Sequence, residues 1–234
     1  MNVMLLAAGR GTRMKPLTDH IPKPLLKVGG KPLIVWHLEH LANAGFKNVV
    51  INHAWLGAQI ESYLGHGDQW GLNIEYSAET LALETAGGIV KALPHLGTEP
   101  FLVMNADVWC DWHPAHAFAI EKHLKEHPAL LSWLLLVDNP SFHPKGDFYL
   151  QTNGMVEAEK KGVPTAPCLT FSGIGIYKPI LFESIEPNQP TKLAPLLKQA
   201  MKQQRVIGEK HQTQWVDVGT PERLADLDQI LLNT

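Results

Sequence analysis

The chain has 234 residues, 45% of them hydrophobic, and a formal net charge of −3. That length suits one large α/β domain or two small ones, and the apolar content supports a sizeable core, which excludes a disordered chain or a disulfide scaffold. No apolar run reaches the ~20 residues of a membrane span. The start lacks a secretory-signal pattern, because the apolar run 3–8 is short and meets glycine and arginine directly. The mild negative charge leaves no broad footprint for nucleic acid. The two cysteines, Cys110 and Cys168, fit free thiols in a reducing cytoplasm better than a lone disulfide.

Residues 3–8 read as a buried strand that ends in Gly9 and Gly11 and then in cations. Six of the chain's 20 Lys and Arg lie in its first 31 residues (Arg10, Arg13, Lys15, Lys23, Lys27 and Lys31), with Asp19 the only acid among them. Glycine lets a backbone approach a ligand closely, and successive N–H groups in such a turn form an anion-binding concavity. A lone Gly-x-Gly is a weak signal. Glycines, an abutting strand and six cations together favour phosphate binding over a solvated basic loop.

A helix then starts at Lys31-Pro32, where proline is tolerated, and Gly45 ends it. Residues 49–52 read as a strand, 56–64 as a helix stopped by glycines, and 72–76 as a strand. This alternation predicts a parallel sheet covered on both faces. Residues 79–88 form a turn in which Gly87 and Gly88 open a short helix over 89–93, a place where something flat or anionic could approach. A strand over 101–104 delivers Asn105-Ala106-Asp107 to its carboxyl end, where open α/β sheets bind ligands. Asp107 there is either a metal ligand or a cap of the next element. A helix over 114–127 and a strand over 130–137 follow. The pattern then turns antiparallel, with a hairpin over 145–160 around Asn153-Gly154 and a strand over 170–177, together forming a lid or wall beside the main sheet. A helix over 192–202, a strand at 214–217 and a helix over 222–232 complete the chain. No linker separates these parts, so residues 1–234 read as a single domain with a sub-lobe over roughly 138–178.

The chemistry narrows by exclusion. Nucleophile motifs of the Gly-x-Ser-x-Gly or Cys-x-x-Cys type are absent. A Walker A loop needs Gly-Lys-Ser/Thr, and this loop has Gly11-Thr12-Arg13; a dinucleotide fingerprint needs a third glycine that is not there. What remains is chemistry on phosphate by positioning, cations and metal.

The stretch Leu5-Leu6-Ala7-Ala8-Gly9-Arg10-Gly11-Thr12-Arg13-Met14-Lys15-Pro16-Leu17-Thr18, with Pro22-Lys23-Pro24, resembles the signature of the sugar-1-phosphate nucleotidyltransferases. Asn105-Ala106-Asp107 and Trp215-Val216-Asp217-Val218-Gly219-Thr220-Pro221-Glu222 resemble that family's two metal-aspartate motifs. Asn52-His53-Ala54-Trp55-Leu56-Gly57, Leu83-Glu84-Thr85-Ala86-Gly87-Gly88 and Phe171-Ser172-Gly173-Ile174-Gly175-Ile176-Tyr177 are similar, more narrowly, to N-acetylmuramate-1-phosphate uridylyltransferases, small bacterial enzymes of peptidoglycan recycling.

The resemblance implies a Rossmann-like (GT-A type) α/β fold with a mixed, mainly parallel sheet, helices on both faces and a small antiparallel sub-lobe. It implies a cytoplasmic monomer or weak oligomer whose partners are a nucleoside triphosphate such as UTP and a sugar 1-phosphate, without nucleic acid or membrane. The sugar-phosphate oxygen attacks the α-phosphorus in line and pyrophosphate leaves. Arg13 and Lys23 are the expected catalytic cations, and Asp107 and Asp217 the expected ligands of Mg²⁺. Ala8, Gly9, Gly11, Thr12, Arg13, Lys23, Glu79 and Gly87 are expected to hold the nucleotide. Asn105, Asn139, Gly146, Glu159 and Lys160 are expected to hold the sugar phosphate. Alternatives are a mannose- or glucose-1-phosphate enzyme using another base, a glycosyltransferase, for which Asn105-Ala106-Asp107 lacks the first aspartate of Asp-x-Asp, and a non-catalytic nucleotide-sugar sensor.

Overall fold

The computed structural model describes residues 1–159 and 166–232. Strand β1 (Val3–Leu6) leads through a long loop to a short hairpin, β2 (Lys27–Val28) and β3 (Lys31–Pro32), and then to α1 (Leu33–Asn43). Next come β4 (Asn48–His53), α2 (Gly57–Leu64), β5 (Asn73–Ala78), α3 (Glu84–Leu96) and β6 (Phe101–Asn105). Strand β7 (Val108–Cys110), α4 (His116–Glu126) and β8 (Ser132–Val137) follow. The hairpin β9 (Phe148–Leu150) and β10 (Val156–Glu157) precedes the long β11 (Cys168–Tyr177). The chain closes with α5 (Leu193–Lys202), β12 (Val206–Lys210), β13 (Trp215–Asp217) and α6 (Pro221–Leu232).

The sheet runs β5-β4-β1-β6-β11-β8-β12, and the first four strands are parallel. Strand β11 pairs antiparallel with both β6 and β8, and β12 pairs parallel with β8. Only β11 therefore runs against the rest of that path. Strand β1 shows why helices cover both faces. Val3 and Leu5 point into one core with α1 and α2, while Met4 points into another with α3 and α5. That is the two-residue alternation of a strand buried on both sides.

Two expectations change. Strand β11 is no lid: it lies inside the central sheet, and Ile174 to Tyr177 are buried on both faces. Only its first two residues carry the β9–β10 hairpin. Helix α3 begins at Glu84, so Gly87 and Gly88 lie within it rather than ahead of it. Strand β13 stays out of the main sheet and pairs with β7 as a two-stranded ribbon. Strand β12 had no sequence signal and reaches the sheet edge through β8. Among the described residues no helix is long and apolar enough to cross a membrane.

Candidate active site

The carboxyl ends of β1, β4, β5 and β6 open on a cavity of about 320 Å³, lined by Ala8, Gly9, Lys23, Asn105 and Asp107 and by Glu79 and Thr85 on the far side. Past β1 the chain enters a single helical turn, Thr12–Met14, with Gly11 at φ +68° before it and no side-chain cap. The first N–H groups of such a turn have no intrahelical acceptor. Gly11 is a structural requirement, since a Cβ there would also come within 3.0 Å of Thr18. Gly9 is different: a Cβ there would meet nothing within 4 Å and its backbone is unstrained. Neither packing nor φ demands glycine at 9, which fits a position kept clear for a ligand.

A second motif braces this loop. The Thr18 hydroxyl donates to the Gly11 carbonyl (2.8 Å), and the Thr18 carbonyl accepts from Arg10 (3.0 Å) and from the Trp55 indole (3.1 Å). The Arg10 guanidinium lies 3.5 Å over the Trp55 ring. The six cations thus separate by role. Arg10 and Lys15 share Asp19, Lys31 pairs with Glu39, and Lys23 pairs with Asp107. Among the described residues, Arg13 and Lys27 have no acidic partner. Arg13 and Thr12 are exposed at the head of the turn.

The buried Lys23 ammonium stands 2.6 Å from Asp107 Oδ2. The second aspartate arrives by way of the β7–β13 ribbon. Asp217 stands opposite Val108, and the Val218 N–H donates to the Asp107 carbonyl (2.9 Å). Asp217 in turn accepts from Arg223 Nη1 at 2.8 Å. These two carboxylates, one in the turn before β7 and one at the end of β13, supply the hard oxygen donors that Mg²⁺ prefers. Behind them His37 is buried and bonded to the Val108 backbone, and burial pushes its pKa down to about 4. One other group could suggest a metal: Cys110, Asp111 and His211, whose ligand atoms lie within 4.8 Å of one another. It is a poor candidate. Asp111 already accepts from His211 and Thr213, and burial pushes the Cys110 thiol up to about 12.

On the far side a relay ties three strand ends together. The Ala7 N–H donates to Asn52 Oδ1 (2.9 Å), Asn52 Nδ2 to Glu79 Oε1 (2.6 Å), and the Leu83 N–H to Glu79 Oε2 (3.0 Å). Gly88 leaves room for it, since a Cβ there would lie 2.7 Å from Glu79 Oε1. Gly87 does not face the cavity. Its N–H donates to the Thr191 carbonyl, and a Cβ would collide with the Gln189 carbonyl at 2.4 Å. Its glycine serves helix–loop packing, not a nucleotide.

A profile of the nucleotidyl transferase family matches residues 2–234. The chain belongs to the nucleotidyl transferase family. It is 53% identical to an N-acetylmuramate alpha-1-phosphate uridylyltransferase of Neisseria meningitidis, across 97% of this chain and 96% of that one. It is 36% identical to a protein of the same description from Caulobacter vibrioides, across 94% and 92%. A solved UDP-glucose pyrophosphorylase in complex with UDP-glucose shares the fold with a TM-score of 0.75 at 22% identity, covering 99% of this chain and 98% of that one.

This nucleotidyl transferase keeps only part of its expected sugar set at the cavity. Asn105 lines it, and Gly173 on the β11 bulge makes room, since a Cβ there would lie 2.6 Å from the Asn105 amide nitrogen. Asn139 does not line it. Its amide donates to the Cys168 and Pro144 carbonyls and accepts from the Thr170 hydroxyl, pinning the loop to β11. Gly146 turns that loop at φ +65°, with Asn139 Oδ1 only 2.7 Å from a Cβ position. Glu159 is exposed on a separate small hollow beside Met201 and Lys202. Lys160 lies outside the described residues. Asn52 and Trp55 entered the sequence reading only as part of a motif, without a role, and Arg223 escaped it. A polar residue closing a buried strand was an available sign for Asn52, as was a cation in the first turn of α6 for Arg223, where the helix dipole opposes it.

Proposed function

We propose that the chain transfers a uridylyl group from UTP to N-acetylmuramate α-1-phosphate, forming UDP-N-acetylmuramate and pyrophosphate in cytoplasmic peptidoglycan recycling. The observation that carries the chemistry is the pair Asp107 and Asp217, brought together where the turn before β7 meets the end of β13, with Asp107 lining the cavity and Arg13 free of an acidic partner among the described residues. The substrates rest on the 53% identity to the Neisseria relative. A mannose-phosphate substrate is the second reading, supported by 30% identity to a mannose-1-phosphate guanyltransferase of Schizosaccharomyces pombe, of which the chain spans 62%. We read residues 1–234 as one domain, a monomer or weak oligomer acting on small molecules without nucleic acid or membrane.

The attacking phosphate monoester is already anionic, so no general base is needed, and catalysis falls to alignment and charge. Lys23, held beside Asp107, is aimed at the α-phosphate. Arg13 takes the leaving pyrophosphate, since its fork matches two phosphate oxygens. Ala8 and Gly9 give the nucleotide close backbone approach, and the turn at Gly11 and Thr12 cradles phosphate. Asp107 and Asp217 would hold Mg²⁺, which when bound neutralises charge on the reacting phosphates. Glu79 is an acceptor only. It can accept from the N3–H of uracil, as it could from the N1–H of guanine. Asn105 serves the sugar phosphate.

The test is pyrophosphate release for four nucleoside triphosphates crossed with the 1-phosphates of N-acetylmuramate, N-acetylglucosamine, mannose and glucose. UTP with the muramate should be fastest. A preference for GTP with mannose phosphate would favour the second reading, and no release from any pair would remove the transferase reading.

A further inference from the structure

We propose that Arg223 is a second phosphate-binding guanidinium of this site, converging with Arg13 beside Gly219 on the pyrophosphate group; the proposal rests on the transferase reading above. Arg223 sits in the first turn of the 12-residue α6, where the positive end of the helix disfavours a cation. Helix stability alone gives no reason for it there. Its Nη1 reaches Asp217 at 2.8 Å, which uses one of a guanidinium's five donors. The rest of the fork faces Gly219. A Cβ at 219 would stand 2.4 Å from Arg223 Nη2 and 3.2 Å from Arg13 Nη2, so glycine makes room for the Arg223 fork and both guanidiniums border one point of the backbone. Around that point two fixed positive charges meet one carboxylate, Asp217. The excess charge suits an anion with several oxygens, and the geometry suits bidentate phosphate contacts. Phe142, exposed on the loop before β9, lies with its ring 4.0 Å from the Arg223 guanidinium and helps to hold its plane.

The competing role is a brace that only orients Asp217. Calorimetric titration of pyrophosphate separates the two, run with Mg²⁺ and again with a chelator, on the native protein, Arg223→Gln and Arg223→Lys. Loss of one charge-assisted phosphate contact predicts that Arg223→Gln weakens pyrophosphate binding roughly tenfold or more. Arg223→Lys should recover part of it, and the KM for UTP should rise while that for the sugar phosphate stays level. Thermal unfolding midpoints would show whether each variant folds. If Arg223→Gln does not, Arg223→Lys carries the comparison, with weaker binding than native expected. Native pyrophosphate affinity in the folded variant, with only kcat or Mg²⁺ affinity reduced, would overturn the proposal and leave the brace. A native protein that binds no pyrophosphate under either condition would overturn the transferase reading, and this inference with it.

Discussion

Two glycines in one loop illustrate how a residue's role divides between fold and ligand. Gly11 adopts φ +68° against Thr18, so Gly11→Ala should destabilise the protein by about 1–2 kcal/mol, the usual cost of a left-handed non-glycine residue. Gly9 has open space, so Gly9→Ala should leave the thermal unfolding midpoint unchanged and raise the KM for the triphosphate. A lowered midpoint for Gly9→Ala would show that the fold, not the ligand, needs that glycine. Lys23→Ala should lower the rate by roughly 10²-fold or more, the usual size for one aimed charge-stabilising group; a raised KM at unchanged kcat would confine it to binding. For the aspartates the informative changes are Asp107→Asn and Asp217→Asn. Removing Asp107 altogether would strand the Lys23 ammonium, which is only 8% exposed. Both variants should fold and lose turnover, and a native rate at limiting Mg²⁺ in either would release that residue from the metal role.

At the scale of elements, the loop is held by parts of the chain far from it. Met14 of the loop, Leu26 before β2, Val28 in β2, Leu33 of α1, Trp109 of β7, Val218 after β13 and Leu227 of α6 form one small apolar cluster. The Gly29 N–H donates to Asp228 of α6 at 2.7 Å, which fastens the helix from the other side. Helix α6 therefore clamps the phosphate loop to the ribbon that brings the two aspartates together. Leu227→Ala should cost about 2–5 kcal/mol in urea unfolding, the range for a truncated core leucine, and should weaken triphosphate binding in the protein that remains folded. Unchanged binding would mean that the loop keeps its shape without the clamp.

The elements that sequence periodicity exposes are the local ones. The β1 run, the α1 stripe and the Asn153-Gly154 turn each carry their own signal in a few neighbouring residues. Strand β11 reads as a short apolar strand, and nothing within it says that β6 and β8 will enclose it. The Asp107–Asp217 juxtaposition was legible through motif resemblance, but the ribbon that creates it was not, because β7 is three residues long and its partner lies a hundred residues on. Asn139 was expected as a substrate contact through the family resemblance, and it is a polar residue after a buried strand. The same property suits it to pin a loop, and only the positions of Cys168, Pro144 and Thr170 decide between them.

For the whole molecule, the buried His37 sets a pH limit. Its pKa falls from 6.5 to about 4 on folding, so between those values the unfolded chain binds a proton that the folded chain refuses. Stability from this group is complete above about pH 6.5 and is lost as pH falls toward 4, by up to about 3 kcal/mol. His37→Gln should therefore lose less stability than the native protein between pH 7.5 and pH 4.5 in urea unfolding. Equal losses would show that other groups govern the acid limb. The account as a whole joins a triphosphate loop, two aspartates and a sugar-phosphate acceptor in one transfer. Its most direct test follows the α-phosphate. With UTP labelled at that phosphorus, N-acetylmuramate α-1-phosphate and Mg²⁺, the label should pass into UDP-N-acetylmuramate, with one unlabelled pyrophosphate released per molecule formed. Label accumulating as free UMP, or remaining in UTP while pyrophosphate fails to appear, would contradict it.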